Sequence, residues 1–363
     1  MNPLDIARER LRNQCLIDAA FDQPQDVVRW LGAVQAQEYA HAKWALAQRT
    51  RGLTEAAVEQ AVAAGEILRT HILRPTWHFV APQDIRWMLQ LSAPRVKQIA
   101  AFGDRQHGIQ DSDFRLSNAV LEKALRGGKH LTRDELAVEL GRAGLANCAG
   151  TRLAHLMLRA ELDGIVCSGP RRGKKFTYAL LEERVPAVKA TGRDEALYEL
   201  TRRYFTSRGP ATLQDFTTWS GLTMADARDG VGMAESELES ETVDTRTLWF
   251  ARLTQDPPSS SRVAHLLPIY DEYPASYKDR GAAFGKGFIK PTGPKGDVPF
   301  MNPLVVDGLI VGHWKSAISA SAAAVSLYPY QTLSRSADAA IAVAARRYGE
   351  FLGMPVTLSQ PAP

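Results

Sequence analysis

Two glutamines separated by one small residue, Gln35-Ala36-Gln37, lie in the run Asp26-Val-Val-Arg-Trp-Leu-Gly-Ala-Val-Gln-Ala-Gln-Glu-Tyr39. No other short segment suggests chemistry as directly. An amide is no general base near neutral pH. Its carbonyl oxygen can accept a hydrogen bond from water and aim a dipole at developing positive charge. Such help suffices only when the leaving group departs readily. On an α-helix, residues i and i+2 do not share a face. Both glutamines therefore reach one substrate only if the helix ends near Gly32 to Gln37. Otherwise one acts and the other supports it. Gln37 is assigned the water-positioning or cation-stabilising role, and Gln35 an orienting or contacting role. Glu38 is a competing carboxylate, and Lys43 a competing amine for Schiff-base chemistry. The plain alternative is two exposed helix glutamines.

Other candidates are cations and rings. The strand-like run Thr70-His-Ile-Leu-Arg-Pro-Thr-Trp-His-Phe-Val80 brings His71, Arg74, Trp77 and His78. Arg74 and His78 are candidate DNA contacts, while Trp77 reads as core. Arg152, His155 and Arg159 recur at helical spacing and suit groove or phosphate contact. The tip Ser168-Gly-Pro-Arg-Arg-Gly-Lys-Lys175 gathers Arg171, Arg172, Lys174 and Lys175 without an acid, which suits phosphate or minor-groove contact. Lys278 and Arg280 flank Asp279 and are further candidates. Asp271 and Glu272 read as structural hydrogen-bonding carboxylates or a second acid site.

The elements that must position these residues repeat. Three times the chain shows helices followed by a two-stranded ribbon. In the first unit (1–110), Asp26 is expected to cap one helix and Thr54 another. In the second (111–190), Thr132-Arg-Asp-Glu135 is a capping box. Leu153, Leu156, Met157 and Ala160 follow helical spacing there, and the ribbon Gly164 to Leu180 follows. In the third (191–254), Thr212-Leu-Gln-Asp215 is a second box, and a strand is expected near Thr247 to Leu253. Gln255-Asp-Pro-Pro-Ser-Ser-Ser261 reads as a linker. Beyond it (255–363), strands are expected at Val263–Ile269, Gly287–Pro291, Pro303–Val306, Leu309–Trp314 and Ala322–Leu327. Asp307-Gly308 makes a hairpin turn, and a helix runs from about Ser336 to Phe351. The fold class is thus α+β, with three tandem winged helix-turn-helix units plus a C-terminal β-sheet or partial barrel with a terminal helix.

Composition bounds the reading. With 363 residues and a net charge of +4, the chain is mildly basic. Arg supplies 32 of its 44 basic residues, which suits bidentate contact to phosphates and bases and equally suits a GC-rich genome. Cys15, Cys148 and Cys167 form no Cys-x-x-Cys spacing, which argues against a disulfide framework, a zinc site or an iron–sulfur cluster. No metal or cofactor is expected. No apolar run suggests a signal or a membrane span, so a cytoplasmic bacterial protein is expected.

Several strings together resemble the AlkZ-like DNA glycosylase family. They are Leu31-Gly-Ala-Val-Gln-Ala-Gln37, Leu73-Arg-Pro-Thr-Trp-His-Phe79, Leu162 to Tyr178, Leu267-Pro-Ile-Tyr-Asp-Glu-Tyr273 and Tyr277-Lys-Asp-Arg280. The resemblance implies tandem winged helices and a C-terminal β-region around duplex DNA. It also implies excision of alkylated bases, with interstrand crosslinks among the substrates of some members. The family's Gln-x-Gln catalytic motif falls on Gln35 and Gln37. Two departures stand out: Pro274 follows the Asp-Glu-Tyr segment where an apolar strand residue is expected, and Lys315 to Ser321 is poor in basic residues. The implied activity is monofunctional hydrolysis of N-glycosidic bonds to purines made cationic at N7 or N3. The expected partner is damaged double-stranded DNA, bound by a monomer. The rival is a winged-helix DNA binder or regulator without catalysis, though a regulator usually dimerises on a palindrome. A nuclease is disfavoured by the lack of a clear carboxylate–metal cluster.

Overall fold

The structure is a computed structural model and describes residues 1–145, 147–186, 191–251, 262–284 and 301–360. After α1 (Pro3–Asn13), one order of elements recurs: helix, strand, helix, helix, two strands. It first appears as α2 (Pro24–Leu31), β1 (Ala33–Gln35), α3 (Tyr39–Ala47), α4 (Glu55–Ala64), β2 (Leu68–His71) and β3 (Trp77–Val80). The long α5 (Ile85–Gln106) leads to α6 (Asp111–Leu125), β4 (Leu131–Thr132), α7 (Arg133–Arg142), α8 (Gly150–Leu162), β5 (Val166–Ser168) and β6 (Thr177–Leu180). A short α9 (Leu181–Arg184) precedes α10 (Arg193–Arg208), α11 (Leu213–Ser220), α12 (Met224–Ala234), β7 (Leu238–Val243) and β8 (Arg246–Ala251). The sheet orders match. They are β1-β3-β2 and β4-β6-β5, and in the third set Ala211 bridges Trp249 on β8, which pairs with β7.

The caps explain the boundaries. Thr54, Thr132, Thr212 and Thr223 each accept a backbone N–H of the helix they precede. Asp26 does not cap. Pro24, with φ preset for a first turn, starts α2 two residues earlier, and Asp26 pairs with Arg29 instead. The sequence reading named no helix at α3. Ala42, Lys43, Trp44, Ala45, Leu46 and Ala47 are all buried, so α3 shows no amphipathic stripe to detect.

Past the third set, β9 (Ala264–Leu266), α13 (Glu272–Ala275), β10 (Asn302–Val306), β11 (Leu309–Ile318), β12 (Ala323–Pro329), α14 (Arg335–Leu352) and β13 (Val356–Ser359) follow. The five strands form one sheet, β13-β12-β11-β10-β9, curled into a half-barrel. Asp307 and Gly308 both have positive φ and turn the β10–β11 hairpin. The strand expected over Val263–Ile269 stops at Leu266. Pro274 is no misfit, because Asp-Glu-Tyr opens a helical turn capped by Asp271, where proline is tolerated. The expected strand Gly287–Pro291 and the Gln255–Ser261 linker lie outside the described residues.

Hydrophobic cores cross the boundaries drawn from sequence. One core joins α2–α4 to the C-terminal sheet and α14. Another joins β1–β3 and α5 to α10–α12. Only the middle set keeps a core local to residues 109–180. The first set is therefore gripped from both sides.

Candidate active site

Helix α2 ends at Leu31, and Gly32 takes φ 74°, a conformation costly for any other residue. The chain turns into β1, antiparallel to β3 with Gln35 opposite His78. The ladder runs one residue further, since the Ala36 N–H donates to the Trp77 carbonyl at 2.7 Å. In extended backbone, alternate side chains share a face. Of the two arrangements left open by the spacing, the helix ends: Gln35 closes β1, Gln37 follows in the bend before α3, and both are half-buried on either side of the buried Ala36.

The β2–β3 turn holds both amides by their oxygens. Arg74 Nη2 donates to Gln35 Oε1 at 3.1 Å, and the Trp77 N–H approaches Gln37 Oε1 at 3.4 Å. Both partners are pure donors, which fixes the orientation of the amides. Each oxygen keeps a second lone pair. Arg74 also donates to the Thr218 carbonyl at 3.3 Å, and no carboxylate pairs with it among the described residues. Burial lowers its pKa, yet an Arg stays charged. The site thus holds a half-buried cation with no ion-pair partner among the described residues, steadied by the nearby Glu272 charge.

His78 is fully buried. Its Nδ1 donates to the Thr76 carbonyl at 2.9 Å, which leaves Nε2 facing Arg74 at 3.4 Å. Burial and the Arg74 charge hold its pKa at about 3. It is a neutral structural partner of Arg74. His71 lies apart, bonded to the buried Glu161 of α8 at 2.6 Å and packed on Trp77.

The competing candidates are committed elsewhere. Lys43 is buried with Nζ at 2.6 Å from both Glu55 and Glu59. Burial alone would raise the Glu59 pKa, but hydrogen bonds from Lys43 and Tyr39 and the Arg171 charge keep it low. The ammonium is thus locked between carboxylates and is no free amine. Glu38 is exposed at the start of α3 and makes no side-chain cap. Asp271 is bidentate to Arg49 at 2.8–2.9 Å. Glu272 reaches β1 itself, accepting the Gln35 N–H at 2.8 Å.

The basic groups divide. The wing tip carries no acid in its own sequence, but the fold supplies three. Arg171 pairs with Glu59 at 2.7 Å, Arg172 with Glu135, and Lys175 with Asp134 at 3.2 Å. Lys174 is exposed and has no ion pair among the described residues. The basic face expected on α8 is turned inward. Arg152 pairs with Asp113 and His155 with Asp104, which fastens α8 to its neighbours, while Arg159 pairs with Asp163 at the end of α8 and lies over the Phe114 ring of α6. Asp279 pairs with Arg246, leaving Lys278 exposed, while Arg280 donates to the Pro274 carbonyl.

Sequence reading missed Arg69, Glu161 and Arg208. Arg69 is buried, donates to the Ala36 carbonyl at 3.0 Å, and lies against the rings of Trp77 and Phe176. The middle set's wing thereby touches the Gln-x-Gln strand, and Ser168 Oγ accepts the Arg69 N–H at 2.8 Å. A buried arginine whose partners Ser168 and Phe176 lie about a hundred residues away leaves no local signal.

The family model described as DNA glycosylase AlkZ-like matches residues 28–351. The chain belongs to the AlkZ-like DNA glycosylase family. It is 29% identical over 224 residues to an interstrand DNA cross-link repair glycosylase of Streptomyces sahachiroi, a match spanning 59% of each protein. The solved structure of the Streptomyces sahachiroi DNA glycosylase AlkZ superposes with a TM-score of 0.80 over 99% of this chain and 100% of that one, at 22% identity. That likeness establishes the AlkZ-like fold. No helix among the described residues is long and apolar enough to cross a membrane.

Proposed function

We propose that the chain is a monofunctional DNA N-glycosylase acting on duplex DNA, with purines alkylated at N7 or N3 as substrates and interstrand crosslinks through such positions included. The observation that carries this reading is the pair of amide oxygens at the end of β1, one held by Arg74 of the β2–β3 turn and the other approached by the Trp77 N–H at the start of β3. An alkylated purine is already cationic. When its bond to C1′ breaks, the electron pair leaves with the base, which becomes neutral. The sugar becomes an oxocarbenium ion. The free lone pairs of Gln35 and Gln37 can face that cation and hold the water that adds to C1′, whose proton passes to solvent. No strong base is required. The locked Lys43 ammonium supports hydrolysis over Schiff-base lyase chemistry.

The recurring β-order supports three winged-helix units, and Arg74, Lys174 and Lys278 are the cations best placed in this reading for phosphate. A single chain with three such units engages DNA as a monomer.

The test is excision from duplexes carrying N7-methylguanine or a nitrogen-mustard crosslink. Wild type should produce alkali-labile sites, and Gln37→Ala should lose them. Robust excision of uracil or 8-oxoguanine overturns the cationic-substrate reading. Duplex binding without excision by either protein favours a non-catalytic DNA binder.

A further inference from the structure

The outward edge of β1 has no neighbouring strand, yet its backbone groups are not free. Alternation sends the Ala36 N–H inward to β3 and the Gln35 N–H and Ala33 carbonyl outward. A buried ion pair meets them. Arg208 donates through Nη2 to the Ala33 carbonyl at 3.0 Å and through Nη1 to the Leu31 carbonyl at 2.7 Å. Glu272 Oε1 accepts the Gln35 N–H at 2.8 Å. The two side chains bond each other at 2.7 Å and are essentially inaccessible. We propose that the Arg208–Glu272 pair is a positioning clamp that substitutes for a missing strand and sets the height of Gln35 and Gln37 against the reacting sugar.

The construction points to positioning. Glu272 Oε2 also accepts from Trp219 Nε1 at 3.0 Å and Ser276 Oγ at 2.8 Å, and Ser276 Oγ accepts from Arg208 Nε at 2.9 Å. Helices α10, α11 and α13 thus converge on three backbone groups between Leu31 and Gln35. Burial alone would discourage charge on Glu272, but the Arg208 charge and these hydrogen bonds hold it ionised. The neighbouring pair makes the contrast. Asp271 and Arg49 are equally buried, but Arg49 otherwise bonds Gln14 and the Ala45 carbonyl and never reaches β1. Two adjacent carboxylates therefore do different work, one tying α3 to α1 and the other gripping the candidate catalytic strand.

This inference rests on the proposed glycosylase reading, and its test separates the two. Single-turnover excision of N7-methylguanine and affinity for undamaged duplex are measured, at temperatures well below each protein's melting, for wild type, Glu272→Gln, Ser276→Ala and Asp271→Asn. Misplacing reacting groups by about an ångström costs on the order of 100-fold in rate. Glu272→Gln should approach that loss. Ser276→Ala keeps the ion pair and the fold and should lose about 3- to 10-fold by the same argument. Both should bind undamaged duplex within about 2-fold of wild type, since the clamp lies beneath the surface. Asp271→Asn should melt earlier but keep its rate. In a Gln35→Ala, Gln37→Ala background, the Ser276→Ala effect on rate should vanish, because a clamp acts only through those side chains. An undiminished Ser276→Ala effect in that background, or an equal rate loss in Asp271→Asn, overturns the proposal. If wild type excises nothing, the function fails, but exchange of the Gln35 amide proton still reports the clamp. That proton should be protected in wild type and exchange faster in Ser276→Ala. Equal exchange in the two proteins overturns the clamp by itself.

Discussion

β1 and β4 occupy the same place in two copies of one topology, each pairing with the last strand of its sheet. Their sequels differ. β4 ends on Thr132, whose hydroxyl and backbone close a capping box with Glu135 at the start of α7. Nothing there remains for chemistry. After β1, Ala36, Gln37 and Glu38 intervene before α3, and Glu38 provides no side-chain cap. The polar side chains that close a helix in one unit stay available in the other. A repeated scaffold thus acquires a candidate active site by giving up a cap and holding the loosened strand from outside.

The sharpest way to break this comparison is to truncate both strands. Gln37→Ala should lower single-turnover excision by about 10²- to 10³-fold, the cost of removing one preorganised polar group that acts on developing charge. Gln35→Ala should cost somewhat less and free Arg74. Duplex affinity should stay nearly constant for Gln37→Ala. At the equivalent strand, Thr132→Ala should leave the rate alone and lower unfolding free energy by about 1 kcal/mol, the usual cost of a lost cap. A rate loss in Thr132→Ala matching that of Gln37→Ala would mean that the two strands are not functionally distinct.

Acid should also separate the units. Folded His78 stays neutral down to about pH 3, while the unfolded chain takes up its proton near 6.5. His265, in β9 of the C-terminal sheet, behaves alike for the same reason of burial. Between those limits the unfolded state binds more protons. Stability therefore falls as pH drops below 6.5, by about 1.4 kcal/mol per pH unit for each histidine, and this loss ends near pH 3. His41, His130 and His313 are also held below their ordinary value by burial and add to the slope. Urea unfolding at pH 6.5 and 5.0 measures it, and His265→Gln should reduce it. No histidine lies in β4, β5 or β6. His130, just before β4, is also held below its ordinary value but is only partly buried, so amide exchange at pH 5.0 should still open the β1–β3 pair before β4–β6.

The two β-turns give a smaller contrast. Arg74 lies in the β2–β3 turn with no directly bonded carboxylate among the described residues, whereas Arg171 on the β5–β6 wing is bound to Glu59. Arg74→Gln should reduce the slope of log affinity against log salt by about 0.9, the value for one lost phosphate contact. Arg171→Gln should reduce it less and should lower stability instead, because Glu59 loses its third partner beside Lys43 and Tyr39. Equal slopes for the two variants would erase the distinction.

The sequence revealed local features and hid distant ones. Thr54, Thr132 and Thr212 announced their helices because a cap and its partner lie within three residues. The Asp307-Gly308 turn was legible for the same reason. The Gln-x-Gln motif was legible as chemistry, and its spacing required either a helix end or a single active amide. That it lies on an edge strand gripped by Arg208 and Glu272 was not legible, because those partners lie about 170 and 240 residues away. The cationic wing misled in the opposite sense. Its four charges are adjacent in sequence, while the acids that pair with three of them come from α4 and α7.

That pairing makes Lys174 the most selective probe of the wing. Its neighbours Arg172 and Lys175 must exchange a protein carboxylate for phosphate on binding DNA, so their removal forfeits only the difference. Exposed ion pairs of this kind are worth about 1 kcal/mol or less, and the exchange remains possible. Among the described residues, Lys174 has no such pair to give up. Lys174→Ala should therefore weaken duplex binding by a few-fold and reduce the salt slope by about 0.9. Lys175→Ala should change both quantities less, and Asp134→Asn should strengthen binding by freeing Lys175. A salt titration of the four proteins on one undamaged duplex decides the order. If Lys175→Ala has the larger effect, the wing meets DNA in a geometry that breaks its internal pairs, and charge availability in the free protein does not rank its contacts.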